Sequence, residues 1–365
     1  MMNVSDGNPS DLQNQFYSLL ICPASLSPLK LSVFTYRTRN FGEQILQIPW
    51  EGILYAEKDW FYPVIDGVPR LIIESFLDYE DFFKSKMEDY HEKKKKILSK
   101  HGDFIKTIIK KNTRTKKSFE LEWGLFDYKE DKTWDAPSDA LLGRFLEETN
   151  ETRESLNGKI IFDAGCGNGQ LNSSIARCGA LVIGVDLSKS VVRAFQNNDH
   201  PGAFFIQGDI QYPPLKRRCF DLVHSSGVLI HTTNTKFSFE CIEKCVNDGG
   251  KLSVWLYHPR KNSIHKFFNF VRGFTSKLPL RFQYYLYKFT LFPVSYVVKR
   301  SKGNKQSARE MMIDILDWFT PEFRWEHSES EVTIWYEEKF YKKISVTTKS
   351  LFGFSIIGTR IDSGT

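Results

Sequence analysis

The sequence predicts an α/β fold built on a doubly wound, mostly parallel sheet. Two observations carry that expectation. In the stretch Ile-Ile-Phe-Asp-Ala-Gly-Cys-Gly-Asn-Gly at 160–169, an apolar run meets an acidic residue, three glycines alternate, and a helical pattern follows. A buried strand turning tightly into a helix has that signature. The second observation is the alternation of apolar runs and helical patterns over 158–259, which is how parallel strands joined by crossover helices read.

The elements follow in order. Strands are expected at 159–164, 181–186, 203–206, 220–225 and 250–257. Helices are expected at 169–178, at 188–196 with Ser188 as N-cap, and at 235–246. In the tail, Val332, Trp335, Tyr336 and Phe340 stand at helical spacing over 329–340. Runs 344–347 and 352–358 add two strands, giving a seven-stranded sheet. In such sheets ligands bind at the carboxyl ends of the strands, where the glycine turn lies.

The turn narrows the ligand. A dinucleotide fingerprint, G-x-G-x-x-G, needs its third glycine one residue later, where Gln170 stands. No Gly-Lys-Ser/Thr follows, so a phosphate-binding P-loop is excluded. Asp163-Ala-Gly-Cys-Gly-Asn-Gly169 resembles the first motif of class I S-adenosylmethionine-dependent methyltransferases. Three further stretches stand at that family's spacing. Asp186 ends the second strand, 23 residues after Asp163; Gly208-Asp209-Ile210 follows the third; Asp248-Gly249-Gly250 turns into the fifth. The fourth-strand run 220–231 is also similar to the family's.

The resemblance implies a methyl-transferring enzyme with S-adenosyl-L-methionine as cofactor and no metal. It implies cofactor contacts at Asp163, Gly165, Gly167, Gly169, Asp186, Leu187, Asp209, Ile210 and Ser225. Asp186 would hold the ribose hydroxyls and Asp209 the adenine amine. For a general base, His231 is the first choice, with Tyr257 and His258 behind it. After the fourth strand stands Ser225-Ser226-Gly227-Val228, where amino-group DNA and protein methyltransferases carry Asn-Pro-Pro-Tyr. That departure points to a hydroxyl or carbon acceptor.

Before the core, residues 1–75 read as a small β module with Pro and Gly punctuation. Cys22-Pro23 and the Tyr62-to-Pro69 stretch resemble zinc-ribbon-like modules, but the partner cysteines are replaced, with Ser25, Ala56 and Asp59 in the relevant places. A tetrahedral zinc site needs four ligands, so a degenerate, metal-free ribbon is expected. Residues 76–157 read as a helical linker or cap. Four consecutive lysines at 93–96 mark a solvated face or a site for an anionic partner, and Phe119 and Trp123 are candidates to close over the cofactor. The core is assigned to 158–259 and 325–365.

Residues 260–324 form an insertion that the core does not need. From Pro259 to Arg309 there is no Asp or Glu, while twelve Lys and Arg alternate with aromatics. Such a segment suits an anionic membrane surface, a polyanionic ligand, an RNA surface, or a helical cap with solvated lysines. Bacterial methyltransferases of surface-glycan and related biosynthetic clusters look like this overall, including the Asp317-to-Phe323 stretch. The leading expectation is therefore O-methylation of a sugar, lipid-linked or other small-molecule intermediate. An RNA methyltransferase and a non-catalytic cofactor-binding module are the alternatives. Net charge is a mild +6. The six cysteines lack framework spacing, and Cys241 and Cys245 read as core. No secretory apolar region or 18-residue apolar run is visible, so a cytoplasmic protein is expected, peripheral at the membrane if the insertion binds lipid.

Overall fold

The computed structural model describes residues 9–42, 44–57, 59–125, 138–260 and 263–361. Its centre is a run of parallel strands. These are β5 (Ile160–Ala164), β6 (Leu181–Asp186), β7 (Ala203–Gly208), β8 (Phe220–Ser226) and β9 (Val246–Tyr257). A final antiparallel pair, β10 (Tyr341–Lys349) and β11 (Gly353–Arg360), joins through β9. The N-terminal strands β1 (Leu29–Phe41), β2 (Gln44–Ala56), β3 (Phe61–Ile65) and β4 (Val68–Leu71) do not stand apart. β4 pairs in parallel with β7, Arg70 opposite Gln207 and Leu71 opposite Gly208. The sheet therefore has eleven strands rather than seven, in the order β1-β2-β3-β4-β7-β6-β5-β8-β9-β11-β10.

Alternate residues of the central strands serve opposite faces, as a pleated strand requires. Phe162, Ile183, Ile206 and Val223 pack into one buried cluster. Their neighbours Ile161, Val182, Phe205 and Leu222 pack into another. Both faces are covered, which is why these strands are apolar nearly throughout. Helices α5 (Ser138–Thr149), α6 (Gln170–Ala176) and α7 (Ser190–Asn197) serve the second face. The first face takes α8 (Thr235–Ile242), α13 (Glu329–Glu338) and much of α4 (Tyr90–Leu125). The same cluster takes in Phe16 and Leu19 of and after α1 (Pro9–Ser18), and Phe76 and Phe83 of the short helices α2 (Ser75–Asp78) and α3 (Glu80–Lys86).

The insertion is helical: α9 (Ser263–Thr275), α10 (Leu280–Phe289), α11 (Leu291–Ser301) and α12 (Ala308–Phe319). Tyr287 of α10 packs with Met312, Ile315, Leu316 and Phe319 of α12 in a third cluster. Ser307 and Glu310 form a capping box at the start of α12. No described helix is long and apolar enough to cross a membrane.

Several boundaries differ from expectation for local reasons. Ser188 does not cap α7; its hydroxyl donates to Asp186 Oδ1 at 2.7 Å, and Lys189 takes the cap position. The third helix stops at Ile242, and a short 3-10 turn at Glu243–Cys245 leads into β9 four residues earlier than expected. Phe340 is excluded from α13: it has φ +60° and is 75% exposed, whereas Val332, Trp335 and Tyr336 are buried. The lysines at 93–96 are held in part by carboxylates, Lys93 by Asp89, Lys94 by Glu80 and Lys96 by Asp59. In the N-terminal strands, Cys22 is buried with its thiol 3.1 Å from the Tyr62 hydroxyl. Among the described residues, no three His, Cys, Asp or Glu side chains stand close enough to hold a metal. All six cysteines are free, and Cys241 and Cys245 are buried.

Candidate active site

The turn after β5 is built by backbone that other residues resist. Gly165, Gly167 and Gly169 have φ of +97°, +52° and +74°. This left-handed region is open to glycine and costly to most side chains. At Gly165 a Cβ would also lie 2.3 Å from the Val228 side chain. Asp186 ties the turn down. Its Oδ2 accepts from the Gly167 amide at 3.1 Å, and its Oδ1 accepts from the Ser188 amide at 2.9 Å. Burial raises the Asp186 carboxyl above its ordinary range, and the donors from Ser188 and Gly167 oppose that shift.

Above the turn lies a cavity of about 180 Å³, partly open to solvent. Asp163, Gly165, Gly167, Asp186, Leu187, Asp209, Ile210 and His231 line it. Gly169 and Ser225 do not. Gly169 gives close packing, since a Cβ there would sit 2.6 Å from Ala194 and Phe205. Ser225 is fully buried and donates to the Ala164 carbonyl at 2.8 Å, which stitches β8 to β5. Asp209 is present but engaged: Oδ2 accepts from Lys111 Nζ at 2.6 Å and from Asn112 Nδ2 at 3.2 Å. An adenine amine would have to share it.

The long helix α4 crosses the cavity and brings Lys111, Asn112, Thr115, Phe119 and Glu122 to its wall. Phe119 thus stands where a covering residue should; the Trp123 side chain lies outside the described residues. Sequence reasoning missed most of this wall. It also missed a buried cluster under the turn. His224 of β8 donates from Nε2 to Glu148 Oε2 at 2.9 Å, with Asp163 Oδ1 3.5 Å from Nδ1. Burial opposes protonation, but the two carboxylates prevail and push His224 up to about 9. Arg144 donates to the other Glu148 oxygen at 2.8 Å. The i,i+4 spacing of Arg144 and Glu148 was the one available signal for that pair.

His231, Phe119, Glu122 and Asp317 gather on the cavity wall beyond the turn. His231 Nδ1 donates to the Phe323 carbonyl at 3.0 Å, which leaves Nε2 as an acceptor, buried and without a protein partner. Burial drives this imidazole down to about 3, so it is neutral at physiological pH. Asp317 moves the other way. Burial, and then the charge of Asp314, raise its carboxyl to about 7. Burial and Asp317 raise Glu122 as well, and Glu122 Oε2 also lacks a partner. The other base candidates are excluded from the cavity wall. The Tyr257 hydroxyl is bonded to Asp317, and burial raises it far above its ordinary range. His258 is half-exposed and faces the Pro259 and Ser350 carbonyls at 3.3 Å.

With this geometry in view, residues 162–254 match the family model described as a methyltransferase domain. Within that span lie the glycine turn, Asp186, Asp209 and β8. Residues 162–254 are a methyltransferase domain. S-adenosylmethionine is its cofactor. The chain is similar to the ubiquinone biosynthesis O-methyltransferase of Coxiella burnetii, 30% identical over 105 residues, or 28% of this chain and 45% of that protein. It is similar to the mitochondrial enzyme of that name from Rattus norvegicus, 30% identical over 109 residues, covering 27% and 31%. The chain thus spans less than half the length of both relatives. Among solved structures, magnesium protoporphyrin IX methyltransferase from Synechocystis with bound SAH aligns over 61% of this chain and 81% of its own, at 17% identity and TM-score 0.37.

The residues of the methyltransferase domain fit the cofactor by donor chemistry. A sulfonium nucleoside brings a positive charge, a ribose diol and an amine, which are a cation and hydrogen-bond donors. The cavity meets them with the carboxylates of Asp163, Asp186 and Asp209, and with the apolar Leu171, Leu187 and Ile210.

Proposed function

We propose that the chain is an S-adenosylmethionine-dependent O-methyltransferase acting on an uncharged hydroxyl of a small molecule, of which sugars and lipid-linked intermediates are the leading classes. The observation that carries this reading is the wall holding His231, Glu122 and Asp317 in the same cavity as the glycine turn. The cofactor supplies an electrophilic methyl group on a good leaving group. Asp186 holds its ribose, and Asp163, Gly165, Gly167, Leu187, Asp209 and Ile210 surround the rest. Gly169 and Ser225 act one step back, by shaping the turn and the strand pair.

At the acceptor end, His231 has a free Nε2 lone pair and orients the incoming hydroxyl. It is too weakly basic to remove the proton. Asp317, raised to about 7, is matched to that task. General-base assistance contributes about 100- to 10,000-fold, and alignment of the reacting atoms contributes about 7–11 kcal/mol. Buried carboxyls beside the acceptor disfavour a phosphate-bearing one, which counts against RNA. The N-terminal strands are read as a ribbon-like relic that now serves as sheet. The reading is tested by incubating the protein with methyl-labelled cofactor and fractionated small-molecule extract. Label should pass to a neutral acceptor as a methyl ether, and the transfer should require Asp317. Label passing to RNA, or to nothing in any fraction, would overturn it.

A further inference from the structure

The solvent side of the insertion carries a pattern that a solvated helix does not. On α9, Phe267, Phe270 and Phe274 are exposed at i, i+3 and i+7. On α10 the same spacing exposes Phe282, Tyr285 and Phe289, the last at 74%. On α11, Val294, Val297 and Val298 are exposed at i, i+3 and i+4. The opposite sides of these helices are already satisfied: Phe268, Tyr284, Tyr287, Leu291 and Phe292 pack with α12. Each helix is thus apolar on two sides, and the outer stripe has no described partner. Monomeric proteins seldom leave such patches without a ligand.

Charge selects the occupant. Between Pro259 and Arg309 there is no carboxylate residue. Lys266, Lys277, Arg281, Lys288, Lys302 and Lys305 are exposed, and no ion pair to any of them occurs among the described residues. A second copy of this face would bring cations against cations. Nucleic acid would use flat rings for stacking, yet α11 offers valines, and Phe270 and Phe274 pack edge-on against each other at 5.1 Å. Apolar stripes bordered by cations match a lipid surface with negative headgroups.

We infer that α9, α10 and α11 together form a docking surface for an anionic bilayer, on which the protein lies without crossing. The helices of 10 to 13 residues are too short to span. The inference is independent of the acceptor chemistry above. Asp317 lies on α12, the helix against which α10 and α11 pack.

The test is flotation of the full chain with phosphatidylcholine vesicles, with and without phosphatidylglycerol. The protein should float with the anionic vesicles only, and less so as salt is raised. The double variant Phe274→Ser/Phe289→Ser should bind about 10-fold or more weakly, since burying one such ring is worth about 1.5–3 kcal/mol and 1.4 kcal/mol is tenfold. Cofactor affinity and thermal unfolding, measured on the same variant, should not change, because both rings are exposed. Failure to float with anionic vesicles overturns the inference. So does equal flotation of the double variant, concentration-dependent dimerisation abolished by it, or tRNA binding that competes the protein off the vesicles.

Discussion

Asp317 and His224 show how one fold sets two buried groups to opposite purposes. Asp317 lacks a cationic partner close enough to offset its burial, so it keeps a proton up to about pH 7. As a base it works only when that proton has left. The account predicts that kcat/KM rises through about pH 7, and that Asp317→Asn lowers it about 100- to 10,000-fold with the rise gone. The same group has a cost in stability. Between its ordinary 3.8 and about 7 the native carboxyl binds a proton that the unfolded chain has released. Stability from this group is therefore present at low pH and lost as the pH rises across that window. Denaturant titrations should show Asp317→Asn gaining on the parent from pH 4 to 7. His224 is also raised, from 6.5 to about 9, but by partners that favour its charged form. Its contribution is complete below pH 6.5 and lost as the pH climbs through 9. The stability gap between the parent and His224→Gln should narrow over that interval. Neither residue was marked as a site by spacing, because burial and non-local partners create these shifts. The carboxylates facing His224 come from 76 and 61 residues away.

The element that most shapes the site is α4, and its placement depends on buried ion pairs rather than on its apolar stripe alone. Lys111 and Asn112 hold Asp209, while Lys116 reaches Glu74 at 3.0 Å and Asp78 at 2.6 Å. Glu74 is only 1% exposed. Lys116→Met would leave that carboxylate buried without its cation, with only the long 3.4 Å contact from Asn112, which costs about 3–5 kcal/mol. Chemical denaturation should read that loss, and a change below 1 kcal/mol would show that α4 is held otherwise. At this scale the sequence was legible where a strand or helix obeyed its own period. The central strands were placed to within a few residues because both faces are buried and each reads as an unbroken apolar run. The end of α13 was misread because Phe340 keeps the spacing while the backbone turns left-handed there. The start of α7 was misread because the Ser188 hydroxyl donates to Asp186 and accepts only from the first helical amide, that of Ser190, while Lys189 takes the cap position.

Across the whole molecule, the continuity of the sheet was the least legible feature. Nothing in residues 68–71 announces that β4 will lie beside β7; the pairing spans more than 130 residues and involves few side chains. Its consequence is that the N-terminal segment and the strands that carry the glycine turn share one apolar cluster, with Phe16, Trp60 and Phe61 in the same body as Phe162 and Ile206. The account predicts that residues 1–75 and the core unfold together, as one calorimetric transition, and that residues 76–365 alone do not fold cooperatively. The site has the same divided legibility. The turn and Asp186 could be read from a local motif, whereas Glu122, Glu148 and Asp317 arrive from distant segments. Everything turns on whether the glycine turn and Asp186 receive an adenosyl sulfonium. Isothermal titration of S-adenosylmethionine, with NAD as comparison, tests that most directly. The parent chain should bind S-adenosylmethionine and not NAD, and Asp186→Ala should abolish the binding heat while the fold persists. Unchanged affinity in Asp186→Ala, or preference for NAD, would contradict the account.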